Sequence, residues 1–419
     1  MRASALCLLP LAALLAPALA AVPYSGHKVY RLVPTEEQLP VVAEWRQREG
    51  IDFWSKAHLA GHPVDVRVPP HLQREFLVHL YRHRVEHQLL INDLEEVFEN
   101  ERHRAQTRAV SKNPESRISF TEYLQYDEIL QYLSDLASNY SDTVTVESIG
   151  NSYAGRDLGI IKISSGGDDT RPIILIDAGI HAREWIAPAA ALYVINQLVE
   201  NAEESALTDS VDWHIIPVIN PDGYEYTFTT ERMWRKTRST EIVTCVGVDG
   251  NRNFNFHWNE TGSSSDPCSD TYAGPMDFSE VETSYLRNHI NRNIDRIKLY
   301  LTFHSYGAYI LYPWGYTGDL PDDWETLDAL AQDANEAQLA AGGPEYTIGS
   351  FNNVLYTASG VSSDWVKGVA GVNLSFTLEL PGGGDEGFDP PASDILSIVT
   401  PFFEAIRVFG QYIADNYGR

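Results

Sequence analysis

The chain has 419 residues, more than one ordinary domain of roughly 100–200 residues, and its 43% hydrophobic and 11% aromatic content exclude a disordered or low-complexity protein. Its formal net charge of −27 is unevenly spread: residues 1–117 carry 15 basic and 14 acidic side chains, and the rest carry 16 and 44, a net of −28. So acidic a surface excludes nucleic acid and anionic membranes as partners and makes any group of arginines in the second part worth a search.

Residues 1–21 read as a secretory signal peptide, with Arg2, an apolar run from Leu6 to Leu19, and small residues at Ala18, Ala20 and Ala21. The run is short for a membrane span, and no later stretch approaches the roughly 20 apolar residues a span needs. Cys7 leaves with the signal, so Cys245 and Cys268 remain as an isolated pair. In an oxidising compartment such a pair normally forms a disulfide, the alternative being two free buried thiols. Sequons stand at Asn139, Asn259 and Asn373, the last beside an apolar run that reads as a buried strand.

From His27 the pattern predicts a strand to Val33, a helix over 36–49, a strand over 64–68, a helix over 72–80, a strand over 87–91 and a polar helix or tether over 92–108. That order describes a small open α/β sandwich. The segment holds eight of the 13 histidines, scattered without ligand spacing, which reads as a solvated surface. Residues 99–117 are basic and poor in apolar side chains, so Arg104, Arg108, Lys112 and Arg117 are candidate sites for a trypsin-like protease.

From about Phe120 the texture changes. A helix is predicted over 126–139, then strands over 143–149, 158–164, 173–178, 211–219, 299–304 and 373–380, with helices over 186–200, 281–293 and 323–341. Continuous aliphatic runs alternating with helices predict one α/β/α domain with a mixed sheet covered on both faces. In such sheets functional groups gather at the C-terminal ends of strands. There stand His181-Ala-Arg-Glu184, His304-Ser-Tyr306 and Glu379, costly places for charge unless it is used. Two histidines and a carboxylate, here His181, Glu184 and His304, are the usual three-ligand set of catalytic zinc. Glu379, outside that set, suits a general base. Arg183, Arg232, Arg235 and Arg252 suit carboxylate binding or oxyanion stabilisation.

In combination, His181-x-x-Glu184, Met233-Trp-Arg-Lys-Thr-Arg-Ser239, Val248-Asp-Gly-Asn-Arg-Asn253, His304-Ser-Tyr306, Tyr356-x-Ala-Ser-Gly360 and Glu379 resemble the zinc carboxypeptidases of the digestive A/B group, the funnelins. The resemblance covers nearly the whole chain. It implies an activation domain and connector over 22–112, then a three-layer α/β/α catalytic domain over 113–419 with a mixed, mostly eight-stranded sheet. It also implies one zinc ion on His181, Glu184 and His304, with Glu379 as base and then acid and Arg235 on the oxyanion. Asn251, Arg252 and Tyr356 would hold the substrate's terminal carboxylate, Arg183 would contact the substrate further along, and Ser305 and Tyr306 would also bind substrate. Asp249 would orient a zinc-bound histidine, and Cys245 would pair with Cys268. The implied protein is a secreted monomeric zymogen acting on peptide C-termini after activation by a trypsin-like protease.

Specificity departs from the group's patterns. The residue before Asp364-Trp365, at the base of the pocket for the leaving side chain, is Ser363. In the family an aliphatic residue there accompanies apolar substrates and an aspartate accompanies Lys or Arg. The other expected pocket positions, Thr302, Leu311, Gly315, Phe351, Ala358, Val361 and Thr377, include no carboxylate. The expectation is therefore apolar or aromatic C-terminal residues, with release of Lys or Arg as the alternative. Pro381-Gly-Gly-Gly384 resembles invertebrate digestive members.

Overall fold

A computed structural model describes residues 21–54, 60–99, 101, 118, 120–166, 170–240, 245–382, 387–388 and 390–418. Nearly all of the signal segment, the four candidate activation sites, and Gly383 and Gly384 lie outside them.

The N-terminal domain is an antiparallel sheet of β1 (Lys28–Val33), β2 (Asp52–Phe53), β3 (Val64–Val68) and β4 (Glu86–Ile91) in the order β2-β3-β1-β4. Helices α1 (Leu39–Ala43), α2 (Gln73–Arg82) and α3 (94–99) accompany it. The helix expected over 36–49 is in fact α1 between two 3₁₀ turns. Strand β2 was not expected. In β3, alternation sends Val64, Val66 and Val68 into the core with Phe76 and Leu80 of α2. It turns Asp65 and Arg67 the other way, yet Asp65 is buried, so a second surface must cover that face.

The second domain holds a sheet in the order β11-β10-β12-β9-β7-β8-β6-β5. Its strands are β5 (Val144–Asn151), β6 (Asp157–Ile163), β7 (Ile173–Ala178), β8 (Asp212–Ile216), β9 (Ile297–Ser305), β10 (Tyr309–Tyr312), β11 (Thr347–Ser350) and β12 (Leu374–Leu380). The central strands β12, β9, β7 and β8 are mutually parallel, so their C-terminal ends share one edge. Helices α4 (Tyr126–Asn139), α5 (Ile186–Glu200), α6 (Pro221–Thr229), α7 (Val281–Arg292), α8 (Trp324–Ala340), α9 (Phe351–Val354), α10 (Ser362–Gly368) and α11 (Ile395–Tyr417) complete it.

Strands β7 and β9 show why a continuous apolar run is needed. Ile174, Ile176, Leu299, Leu301 and Phe303 pack on one face with α5, α8 and α11. Ile173, Leu175 and Tyr300 pack on the other with Leu286 and Ile290 of α7. Each such buried aliphatic contributes about 1.5–3 kcal/mol. Asn373, expected inside a strand, stands exposed one residue before β12. Among the described residues no helix is long and apolar enough to cross a membrane.

His214 on β8 and His289 on α7 face each other in this core, Nδ1 to Nε2 3.1 Å. Burial, then charged neighbours, holds His214 down to about 2 and His289 down to about 4. Both pKa values are depressed below the unfolded 6.5, so the unfolded chain binds more protons in acid. The stability of this pair is therefore complete above pH 6.5 and lost as pH falls below it, by about 1.4 kcal/mol per pH unit for each histidine. Thermal melts from pH 7.5 to 4 are expected to show a shallower acid loss for His289→Gln than for the parent. An unchanged slope rejects this assignment.

Candidate active site

Each site residue is placed by the end of a strand or the loop that follows. After β7, Gly179 turns the chain at φ +67°, where a Cβ would stand 3.1 Å from Pro188. The turn brings His181 and Glu184 together, with His181 Nδ1 2.8 Å from Glu184 Oε1. His304, next to the end of β9, adds its Nδ1 at 3.1 Å from His181 Nδ1 and 3.2 Å from Glu184 Oε2. These three side chains are buried, with ligand atoms within 4.8 Å of one another, and form the one group of this kind among the described residues.

The cluster calls for a positive charge at its centre. Burial, then Arg235, pushes His181 toward its neutral form. Burial alone would lower His304 too, but Glu184 raises it. Two imidazole nitrogens and a carboxylate converging on one point fit zinc.

Asp249 holds the cluster from outside. It caps the short turn Gly250–Arg252, accepting from Asn251 N–H, and its Oδ1 lies 3.1 Å from His181 Nε2. Arg235 donates to its Oδ2 from Nε and Nη2 at 3.2 and 3.0 Å. Burial would raise Asp249, but Arg235, Arg252 and His181 hold it well below the carboxylate range. The Cys245–Cys268 disulfide, Cα–Cα 5.1 Å, closes the segment carrying Asp249, Asn251 and Arg252.

Arg252 is wholly buried, with Nη1 donating to Asn251 C=O at 2.6 Å while Nε and Nη2 find no partner among the described residues. Asn251 Oδ1 accepts from Ser362 N–H, and the Tyr356 ring lies 5.8 Å from the Arg252 guanidinium carbon. Glu379 on β12 is in register with His304. Burial pushes it up to about 7, with His304, Arg235 and Arg252 drawing it down and Glu184 up.

Leu311, Phe351, Ala358 and Val361 form one apolar cluster. Buried Ser363 accepts from the Thr377 hydroxyl at 3.1 Å. A methyl group on Gly315 would stand 2.8 Å from Ala358 O, 3.3 Å from Val361 and 3.5 Å from Asp364 Oδ2. Asp364 itself accepts Gly315 and Tyr316 N–H. Thr302 is committed elsewhere, its hydroxyl bonded to Asp177.

The N-terminal domain closes over this edge. Asp52 pairs with Arg183 at 3.1 Å, Asp65 accepts the Tyr306 hydroxyl at 2.6 Å, and Glu101 pairs with Arg232 at 3.0 Å. Phe388 lies under the Arg183 guanidinium at 4.3 Å and against Tyr306 and Trp54. Sequence reasoning missed Asp52, Asp65, Asp177 and Phe388. The one signal available was Asp65 and Arg67 alternating with the core valines of β3.

Residues 129–405 match the family described as zinc carboxypeptidase, and residues 30–101 match the carboxypeptidase activation peptide. The chain belongs to the zinc carboxypeptidase family. As a zinc carboxypeptidase with an activation peptide, it is a zymogen. It is 47% identical to carboxypeptidase B of Astacus astacus, over 72% of this chain and all of that one. It is 36% identical to zinc carboxypeptidase A 1 of Drosophila melanogaster, over 92% of this chain and 91% of that one. The crystal structure of carboxypeptidase A from Helicoverpa armigera superposes with a TM-score of 0.87 at 34% identity, covering 94% of this chain and 99% of the other.

Proposed function

We propose that this zinc carboxypeptidase releases single apolar or aromatic residues from peptide C-termini, using His181, Glu184 and His304 as zinc ligands. Zinc bound there supplies a Lewis acid and an acidified water. Glu379 takes up a proton as general base and returns it to the leaving amine. Arg235 stabilises the oxyanion, and Asp249 orients His181.

The observation that carries the reading is Arg252. A buried guanidinium with Nε and Nη2 unpaired among the described residues, close enough to act on Glu379, is completed by a carboxylate gripped bidentately. With Asn251 and Tyr356 around it, the site takes a free chain terminus. Arg183, Ser305 and Tyr306 receive the residues before the scissile bond, and Ser363 floors a pocket walled by Leu311, Phe351 and Val361. The chain is exported, divides into an activation segment over 22–112 and a catalytic domain over 113–419, and works as a monomer after a trypsin-like cut at Arg104, Arg108, Lys112 or Arg117.

Two observations favour a second reading, release of Lys or Arg: the crayfish relative is named carboxypeptidase B, and Asp364 borders the pocket. Trypsin treatment followed by blocked dipeptides ending in Phe, Leu or Lys, with and without a chelator, separates the two. The expected result is chelator-sensitive release of Phe or Leu that appears only after cleavage. Preferential Lys release overturns the pocket reading. No release of any of the three, with zinc bound and cleavage verified, overturns the catalytic one.

A further inference from the structure

Behind His304 lies a pair of polar residues that none of the catalytic and metal-binding roles above uses. The parallel strands β7 and β9 set Asp177 directly opposite Thr302. By alternation both point to the face that carries Leu175 and Tyr300, away from Ile176 and Phe303. Both are fully buried. The Thr302 hydroxyl donates to Asp177 Oδ1 at 2.9 Å and lies 3.2 Å from His304 Nε2. A hydroxyl has one hydrogen. With it given to the carboxylate, the oxygen can only accept from His304, so Nε2 carries the ring proton. Nδ1 is then the nitrogen that faces His181 and Glu184.

Asp249 does the same for His181 directly, but its charge is met by Arg235. Asp177 forms no ion pair among the described residues, and besides Thr302 the buried Tyr300 hydroxyl on the same sheet face bears on its carboxylate. A buried carboxylate left in this way is costly unless a positive charge lies within reach. Its partner, the Thr302 oxygen, is the acceptor that faces His304.

We propose that Asp177 and Thr302 are positioning residues: the carboxylate orients the hydroxyl, and the hydroxyl fixes His304 with Nδ1 turned to the zinc, so that the pair sets metal affinity. The proposal rests on the ligand assignment of the preceding section. Metal-free full-length chain is titrated with zinc against a chelating dye, for the parent and for Thr302→Val, Thr302→Ser and Asp177→Asn, with melting curves of each metal-free form. Thr302→Val and Asp177→Asn are expected to weaken zinc binding by about 10–100-fold. Thr302→Ser, which keeps the hydroxyl, is expected to stay close to the parent. Where Thr302→Val does not fold, Asp177→Asn carries the same test. Lower melting temperatures with parental zinc affinity would mean a merely structural pair and overturn the proposal. A parent that takes up no zinc fails one step earlier, at the ligand assignment, and is recognised before any variant is compared.

Discussion

Glu379→Gln is expected to lower kcat by about 10²–10⁴-fold, the range for losing a positioned general acid–base group, with zinc content unchanged. The amide keeps the shape that β12 packs opposite His304 but cannot take up a proton. Burial sets the Glu379 pKa near 7, where one group can both accept and return a proton. Because the base must be ionised, kcat/KM should rise with pH through this group. Part of its elevation comes from Glu184, so a cation on the ligands moves the acid limb below 7. In Glu379→Gln that limb should vanish. Hydrolysis of a Phe-terminated dipeptide at several pH values, with metal analysis of the same samples, checks all three. A variant within a few-fold of the parent removes Glu379 from the chemistry.

The second large effect concerns the pocket. Ser363→Asp is expected to turn preference from Leu and Phe to Lys and Arg. In the parent, the Ser363 hydroxyl is matched by Thr377, and a buried ammonium would lack a counter-charge. An uncompensated buried charge costs about 3–5 kcal/mol, so the Lys-to-Leu ratio of kcat/KM should rise by about 10²- to 4 × 10³-fold. Phe and Leu turnover should fall in the same variant, because the new carboxylate must stay solvated or protonated beside an apolar side chain. Asp364→Asn is the companion measurement. If the parent already favours Lys and this variant abolishes the preference, Asp364 is the pocket's anion and the Ser363 reading fails.

The sequence exposed the parts of this molecule whose reasons are local. Strands β7, β9 and β12 are aliphatic runs because both faces are covered, and His181, Glu184, His304 and Glu379 stood out as charge at the ends of such runs. Strands β10 and β11, at four residues each, are too short for periodicity to separate from loop. Helix α11 does carry apolar spacing at Ile395, Ile398, Val399, Phe402, Ile406 and Phe409, but Pro401 interrupts it. Asp177 and Thr302 are unremarkable polar residues until strand register makes them neighbours. The contacts of Asp52 with Arg183 and Asp65 with Tyr306 span 131 and 241 residues, and no spacing rule reaches that far.

Asp52 and Asp65 grip Arg183 and Tyr306, two residues proposed to receive the peptide. Latency and substrate scope are then written in the same side chains. A change at Arg183 that widened the range of accepted peptides would also loosen the hold of the activation domain through Asp52. The two properties cannot drift independently at Arg183: a change there meets both the proposed substrate and Asp52.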